Sequence, residues 1–138
     1  MKRYEFFEHT ADIGMCAFGK TQAELFENAA RGLYAAMGEF VAAGNTIEHE
    51  LELSTTDAAE LLVDFLRELL FLFDTRRLVF TQFEWQELDT KLLCVTLRGA
   101  KADFEKSVLR TELKAVTYHC LKVQQKPEGW EATVIFDV

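Results

Sequence analysis

Asp57-Ala58-Ala59-Glu60, followed by Leu61-Leu62-Val63-Asp64-Phe65-Leu66-Arg67-Glu68-Leu69-Leu70-Phe71-Leu72-Phe73-Asp74, decides the architecture of this chain. Asp57 and Glu60 have the spacing of a helix opening, where side-chain oxygens meet the unpaired amides of the first turn. From Leu61 to Asp74 the sequence is apolar on nearly every side, with Asp64, Arg67 and Glu68 as a narrow polar stripe. Such a helix is covered around most of its circumference, so it is expected to be the central packing element. A membrane span is the competing reading, and it fails on length and on those charges.

Upstream, Thr21-Gln22-Ala23-Glu24 has the form of a capping box. Leu25, Phe26, Ala29, Ala30, Leu33, Tyr34 and Met37 follow at helical spacing, and Gly38 is a natural stop. Tyr4 to Glu8 and Ile13 to Phe18 read as strands, and Ile47 to Leu53 alternates apolar residues with Glu48, Glu50 and Glu52. Beyond Arg77 the pattern is β throughout: Leu78 to Leu88, Leu92 to Leu97, Leu113 to Val123 and Trp130 to Phe136. Asp89-Thr90-Lys91 and Lys126-Pro127-Glu128-Gly129 supply the turns. Ala102 to Val108 is compatible with a loop or a short helix. The expected fold is α+β, with two main helices packed on a mixed or antiparallel sheet of six or more strands.

Composition narrows the classes. A chain of 138 residues with 49% apolar residues and a single proline is one folded domain, 1–138, with no linker or low-complexity segment. Nothing at the N-terminus reads as a signal peptide, because Met1-Lys2-Arg3-Tyr4 leads straight into a strand. The three cysteines, Cys16, Cys94 and Cys120, are scattered in strand-like runs. They fit neither a disulfide framework nor a zinc knuckle and are expected to be buried thiols of a cytoplasmic protein. A net charge of −8 without a basic run longer than Arg76-Arg77 argues against tight direct binding of nucleic acid. An acidic domain of this kind suits a cation or a basic protein surface.

The chemistry-bearing stretch is His9-Thr10-Ala11-Asp12-Ile13-Gly14, where a carboxylate sits between two strands. A carboxylate withdrawn from water costs several kcal/mol unless it is paired, hydrogen-bonded or bound to a cation. At the other end, the last strand closes on Asp137-Val138. Asp12, Asp137 and the terminal carboxylate of Val138 make a hard-cation site plausible if they meet. Taken singly, Asp12 also reads as an Asx-type turn residue and Asp137 as a solvated residue at a chain end. Lys114 lies in a mostly apolar run and either snorkels to water, balances carboxylates or touches a phosphate. His9 and His119 read as core-edge histidines with one satisfied nitrogen, and with Thr10 they are the supporting candidates around the site. No Ser-His-Asp, Cys-His or glycine-rich phosphate loop is visible, which leaves a nucleophilic enzyme or an NTPase without support.

His9-Thr10-Ala11-Asp12-Ile13-Gly14, the helix containing Leu61 to Leu70, Leu113-Lys114-Ala115-Val116-Thr117-Tyr118-His119 and the closing Val134-Ile135-Phe136-Asp137-Val138 together resemble the archease family. The resemblance runs from the first strand to the last residue, with Ala100 to Thr111 matching less clearly. It implies a protein cofactor, not an enzyme in its own right. Archeases assist the RNA ligase that joins 3′-phosphate or cyclic-phosphate ends to a 5′-hydroxyl in tRNA splicing and RNA repair. They promote guanylylation of the ligase, allow multiple turnover and broaden nucleotide use. The family's metal positions, associated with calcium, fall on Asp12, Asp137 and Val138, and its motif lysine falls on Lys114. Two other classes stay open from the residues alone. One is a metal-dependent small-molecule hydrolase, tested by turnover of the isolated protein. The other is a general chaperone or adaptor for nucleic-acid-processing proteins, tested by whether folded Asp12→Ala still supports its partner.

Overall fold

The computed structural model describes residues 2–138. The elements run β1 (Tyr4–His9), β2 (Asp12–Gly19), α1 (Gln22–Met37), β3 (Gly38–Glu39), β4 (Ala42–Ser54), α2 (Ala58–Arg76), β5 (Leu78–Leu88), β6 (Leu92–Ala102), β7 (Val108–Leu109), β8 (Ala115–Lys126) and β9 (Gly129–Asp137). Every strand pair is antiparallel. The strands divide into sheets of order β1-β2-β9-β8, β4-β6-β5 and β3-β7, so the nine strands form three sheets around two helices.

Both helices begin as their sequences require. Thr21 Oγ1 accepts from the Glu24 amide at 3.1 Å, and Glu24 Oε1 accepts from the Lys20 amide at 3.2 Å. The reciprocal bond therefore lands one residue before the cap, a small departure from the usual box. Asp57 Oδ1 accepts from the Glu60 amide at 2.9 Å. α1 stops at Gly38, with φ 159°, where a Cβ would sit 2.2 Å from the Val108 carbonyl oxygen. The close approach of β7, as much as the dihedral, demands glycine there.

α2 is the packing centre, with Leu61, Leu62, Val63, Phe65, Leu66 and Leu69 fully buried. It lies chiefly on β8 and β5, while α1 lies on β2. Each buried Leu or Phe contributes roughly 1.5–3 kcal/mol of transfer free energy. Phe26, Phe65 and Trp85 form an aromatic cluster where α1, α2 and β5 meet, with ring centroids 5.6–6.2 Å apart. No described helix is long and apolar enough to cross a membrane.

Two sequence expectations change, and the open reading of Ala102 to Val108 resolves to a loop. β8 starts at Ala115, two residues later than expected, so Lys114 precedes the strand and is exposed. Residues 103–107 are a turn, fixed by Asp103 Oδ1 accepting from the Glu105 amide at 3.0 Å and by the Ser107 hydroxyl donating to the Asp103 carbonyl at 2.6 Å. The cysteines are all free, but Cys16 and Cys94 are only half-buried and Cys120 is exposed. The cause at Cys120 is an irregularity of β8: its register against β9 shifts between Thr117 and Lys122, and Cys120 takes φ 52°. A bulge of this kind turns a side chain that alternation would bury.

Candidate functional site

The four-stranded sheet gathers the sequence's candidates at one end. The β2–β9 ladder finishes on Ile13 opposite Phe136, and the β8–β9 ladder begins on Ala115 opposite Asp137. Asp12 and Asp137 therefore occupy the next position on neighbouring strands. Phe136 is fully buried and Ile13 packs against the core. Successive strand residues point to opposite faces, so both carboxylates project from the outer face. Cross-strand neighbours of this type have Cβ atoms roughly 5 Å apart. Asp12 is half-buried, while Asp137 and Val138 are exposed.

Lys114 is tied to the same place by its backbone, whose amide donates to the Asp137 carbonyl at 2.8 Å. Its ammonium group makes no ion pair with either carboxylate among the described residues. A cation, two neighbouring anions and a mobile four-carbon stem thus stand together without being locked to one another. Lysine of this kind can swing to an incoming phosphate, since its charge sits on a flexible stem.

Arg67 holds this end in place and was not singled out from the sequence as functional. Its Nε donates to the Val116 carbonyl at 3.0 Å, its guanidinium donates to the Tyr118 hydroxyl at 3.0 Å, and it covers the Tyr118 ring at 4.4 Å. The only cation in the apolar body of α2 is thereby committed to β8, two residues after Lys114. An arginine in the narrow polar stripe of an otherwise apolar helix was the available signal.

His9, Thr10 and His119 lie beside the carboxylates in different ways. Thr10 makes the β1–β2 turn with φ 54° and is exposed. His9 is half-buried, and its Nδ1 is a buried nitrogen with no hydrogen-bond partner. Its Nε2 lies 3.9 Å from Cys120 Sγ, and its ring meets His119 edge-on at 5.9 Å. His9 thus joins the turn to the β8 bulge, and His119 is exposed instead of sitting at the core edge. Cys120 enters the site neighbourhood through that bulge, which no local sequence signal announced.

Among the described residues, no three His, Cys, Asp or Glu side chains are grouped to hold a metal ion. Two carboxylates and the main-chain oxygens of Asp137 and Val138 are hard donors of the kind calcium prefers, and they supply part of a shell of six to eight oxygens. They fit such a cation as one wall of a site, with the remaining positions left to water or to oxygens of another molecule. That chemistry is electrostatic: it can position and neutralise phosphate charge but offers no nucleophile.

The Archease protein family (MTH1598/TM1083) model matches residues 4–138. Protein archease of Methanosarcina barkeri is 36% identical over 141 aligned residues, covering 99% of this chain and 97% of that protein. Protein archease of Pyrococcus furiosus is 37% identical, with both chains covered completely. Among solved structures, the solution structure of Methanobacterium thermoautotrophicum protein 1598 superposes with TM-score 0.78 at 34% identity over 100% of both chains. The 2.0 Å crystal structure of an archease, possible chaperone, from Thermotoga maritima has TM-score 0.66 at 24% identity, covering 96% of this chain and 94% of that one, and shares the fold.

Proposed function

The chain belongs to the archease family, and from that premise we propose that it is a protein cofactor of a 3′-phosphate RNA ligase of tRNA splicing or RNA repair in the cytoplasm. It promotes guanylylation of the ligase, sustains multiple turnover and broadens nucleotide use. What supports this reading is the backbone adjacency of Asp12, Asp137 and Lys114 at one sheet end, where none of the three side chains makes a salt bridge among the described residues. An exposed half-site is suited to completion by a partner, whereas an enzyme acting alone needs its groups converging in a pocket.

In this reading Asp12, Asp137 and the main chain at Val138 hold a divalent cation, calcium in the resting protein. Bound there, the cation supplies charge neutralisation to phosphate oxygens. The chain's own residues do the rest: the carboxylates present fixed negative charge to the ligase's metal-bearing site, and Lys114 reaches a phosphate of the nucleotide. Both roles are positioning and electrostatics, which carry most of the catalysis of phosphoryl and nucleotidyl transfer. Arg67 keeps β8 seated so that Lys114 and Asp137 stay in register.

The test uses a cognate ligase, GTP, a divalent metal and an RNA pair bearing 3′-phosphate and 5′-hydroxyl ends. Sub-stoichiometric protein is expected to speed formation of the guanylylated ligase and to sustain repeated ligation, while the protein alone neither hydrolyses GTP nor joins RNA. Asp12→Ala and Lys114→Ala are each expected to lose activation while retaining the wild-type melting temperature within a few degrees. Unchanged ligase turnover with wild-type protein would overturn the cofactor reading. Full activation by folded Asp12→Ala would instead favour an adaptor whose carboxylates are structural.

A further inference from the structure

The edges of the two larger sheets differ in a way that the ligase reading does not use. β4, β5 and β8 are all interrupted: registers shift between Ala43 and Ile47, at Phe80/Gln82 and Trp85/Glu87, and between Thr117 and Lys122. Such irregularities blunt an edge against pairing with another chain. β1 has none, and all six residues Tyr4–His9 pair regularly with β2. Its other side is open, because β1 is the terminal strand of its sheet.

The direction of its open hydrogen-bonding groups follows from the register. The Phe18 amide donates to the Arg3 carbonyl at 3.0 Å, one pair beyond the ladder that sets Tyr4 opposite Ala17. Antiparallel pairs alternate between bonded and non-bonded. Glu5, Phe7 and His9 therefore bond to β2, and Tyr4, Phe6 and Glu8 turn their amides and carbonyls outward. No described residue pairs with them.

Beside this edge runs an open groove of about 700 Å³ between the β1–β2 hairpin and the end of α1, lined by Tyr4, Phe6, Ile13, Ala35, Ala36 and Arg110. Phe6 is 43% exposed and Phe7 38%. Glu8 and Asp12 also line it. Arg110, the cation among its lining residues, is paired with Glu39 at 3.2 Å. A second copy of this chain would bring another net charge of −8 to the same edge, which disfavours self-pairing. Complementarity selects a basic occupant.

We propose that β1 is a docking edge for an extended, basic segment of a partner protein, which adds as a fifth strand and places alternate apolar side chains in the groove. Main-chain bonds to Tyr4, Phe6 and Glu8 supply the register, the groove reads every second side chain, and Glu8 and Asp12 select lysine or arginine at its rim. The inference stands apart from the ligase reading and survives or fails separately from it.

The probe is a decapeptide of alternating lysine and valine, titrated into the full-length, isotopically labelled protein and followed by amide NMR and hydrogen exchange. The expected result is localised shifts along β1, with exchange slowed at Tyr4, Phe6 and Glu8 and little altered at Glu5 and Phe7, already bonded to β2. Phe6→Pro removes an outward amide that β2 does not use and is expected to abolish binding with the fold intact. The alternating exchange pattern is read on the wild type and stands even if that variant does not fold. Glu8→Gln is expected to weaken binding roughly two- to fivefold, the scale of one exposed ion pair. Shifts scattered over the acidic surface without alternation would overturn the proposal. Equal binding of a glutamate-valine peptide, or protein-concentration-dependent β1 shifts without peptide, would do the same.

Discussion

Replacing Asp12 with asparagine is expected to stabilise the protein without divalent cations and to remove the stabilisation that calcium brings. Asp12 and Asp137 are neighbours across the end of the β2–β9 ladder, on its outer face. Were the charges as close as the roughly 5 Å typical of cross-strand Cβ atoms, they would repel by about 0.8 kcal/mol in a water-like dielectric, an upper bound for this pair. Screening at physiological ionic strength leaves roughly 0.4 kcal/mol, or on the order of 1–2 °C in melting temperature for a domain of this size. Asp12→Asn and Asp137→Asn should each recover up to that amount in the presence of a chelator. The double variant should gain no more than either single one, because the repulsion disappears once either charge is gone. At calcium about a hundredfold above its dissociation constant, the wild type should gain roughly 2.7 kcal/mol, and all three variants far less. Calorimetric melts of the four proteins with chelator and with calcium provide the readout. Additive effects in the double variant would show that the carboxylates do not sense each other. Equal calcium stabilisation of all four would show that the cation, if bound, is held elsewhere.

Other consequences can be measured alongside. Phe65→Ala removes a fully buried ring packed against Phe26, Phe83 and Trp85, and denaturant unfolding should show a loss of about 3–5 kcal/mol. Burial raises the Tyr34 phenol above its ordinary 10.0, against a smaller opposing effect of the Phe80 amide that donates to it. Above pH ~10 the unfolded chain loses this proton while the folded one retains it. Stability should therefore fall as pH rises from there, and Tyr34→Phe should flatten that part of the pH–stability curve. Arg67→Ala cuts the bonds from α2 to Val116 and Tyr118, so ligase activation should drop together with slowed-exchange protection at Val116 and Thr117; normal activation with lost protection would separate Arg67 from the site.

Much of this architecture was legible locally. Thr21 and Asp57 announced the helix starts because a cap is written in three or four consecutive residues, and the burial of the leucines from Leu61 to Leu72 followed from a periodicity with a narrow polar face, although Phe71 is exposed. The segment after Ala102 resisted reading for the opposite reason. Its order depends on distant partners: the Ser107 hydroxyl accepts from the Val41 amide at 2.9 Å, and Val108–Leu109 pairs with Gly38–Glu39. The candidate site is intermediate. Carboxylates at strand ends could be seen in the sequence, but their proximity depends on Ile13 meeting Phe136 across nearly the whole chain. The outward turn of Cys120 depends on a bulge set by β9, so alternation along β8 alone pointed the wrong way.

The placement of β9 between β2 and β8 also sets a timetable. β2 is made before its permanent neighbour β9 by the whole stretch from α1 to β8. At a synthesis rate of ~5–20 residues per second, β2 waits on the order of ten seconds for that neighbour. During that interval Met15 and Ala17, buried in the finished protein, belong to a hairpin with two open sides. Products truncated before β9 carry an incomplete sheet with unpaired edges, the kind of surface that aggregates. The sheet end that gathers Asp12, Asp137 and Lys114 is assembled only after β9 has been made.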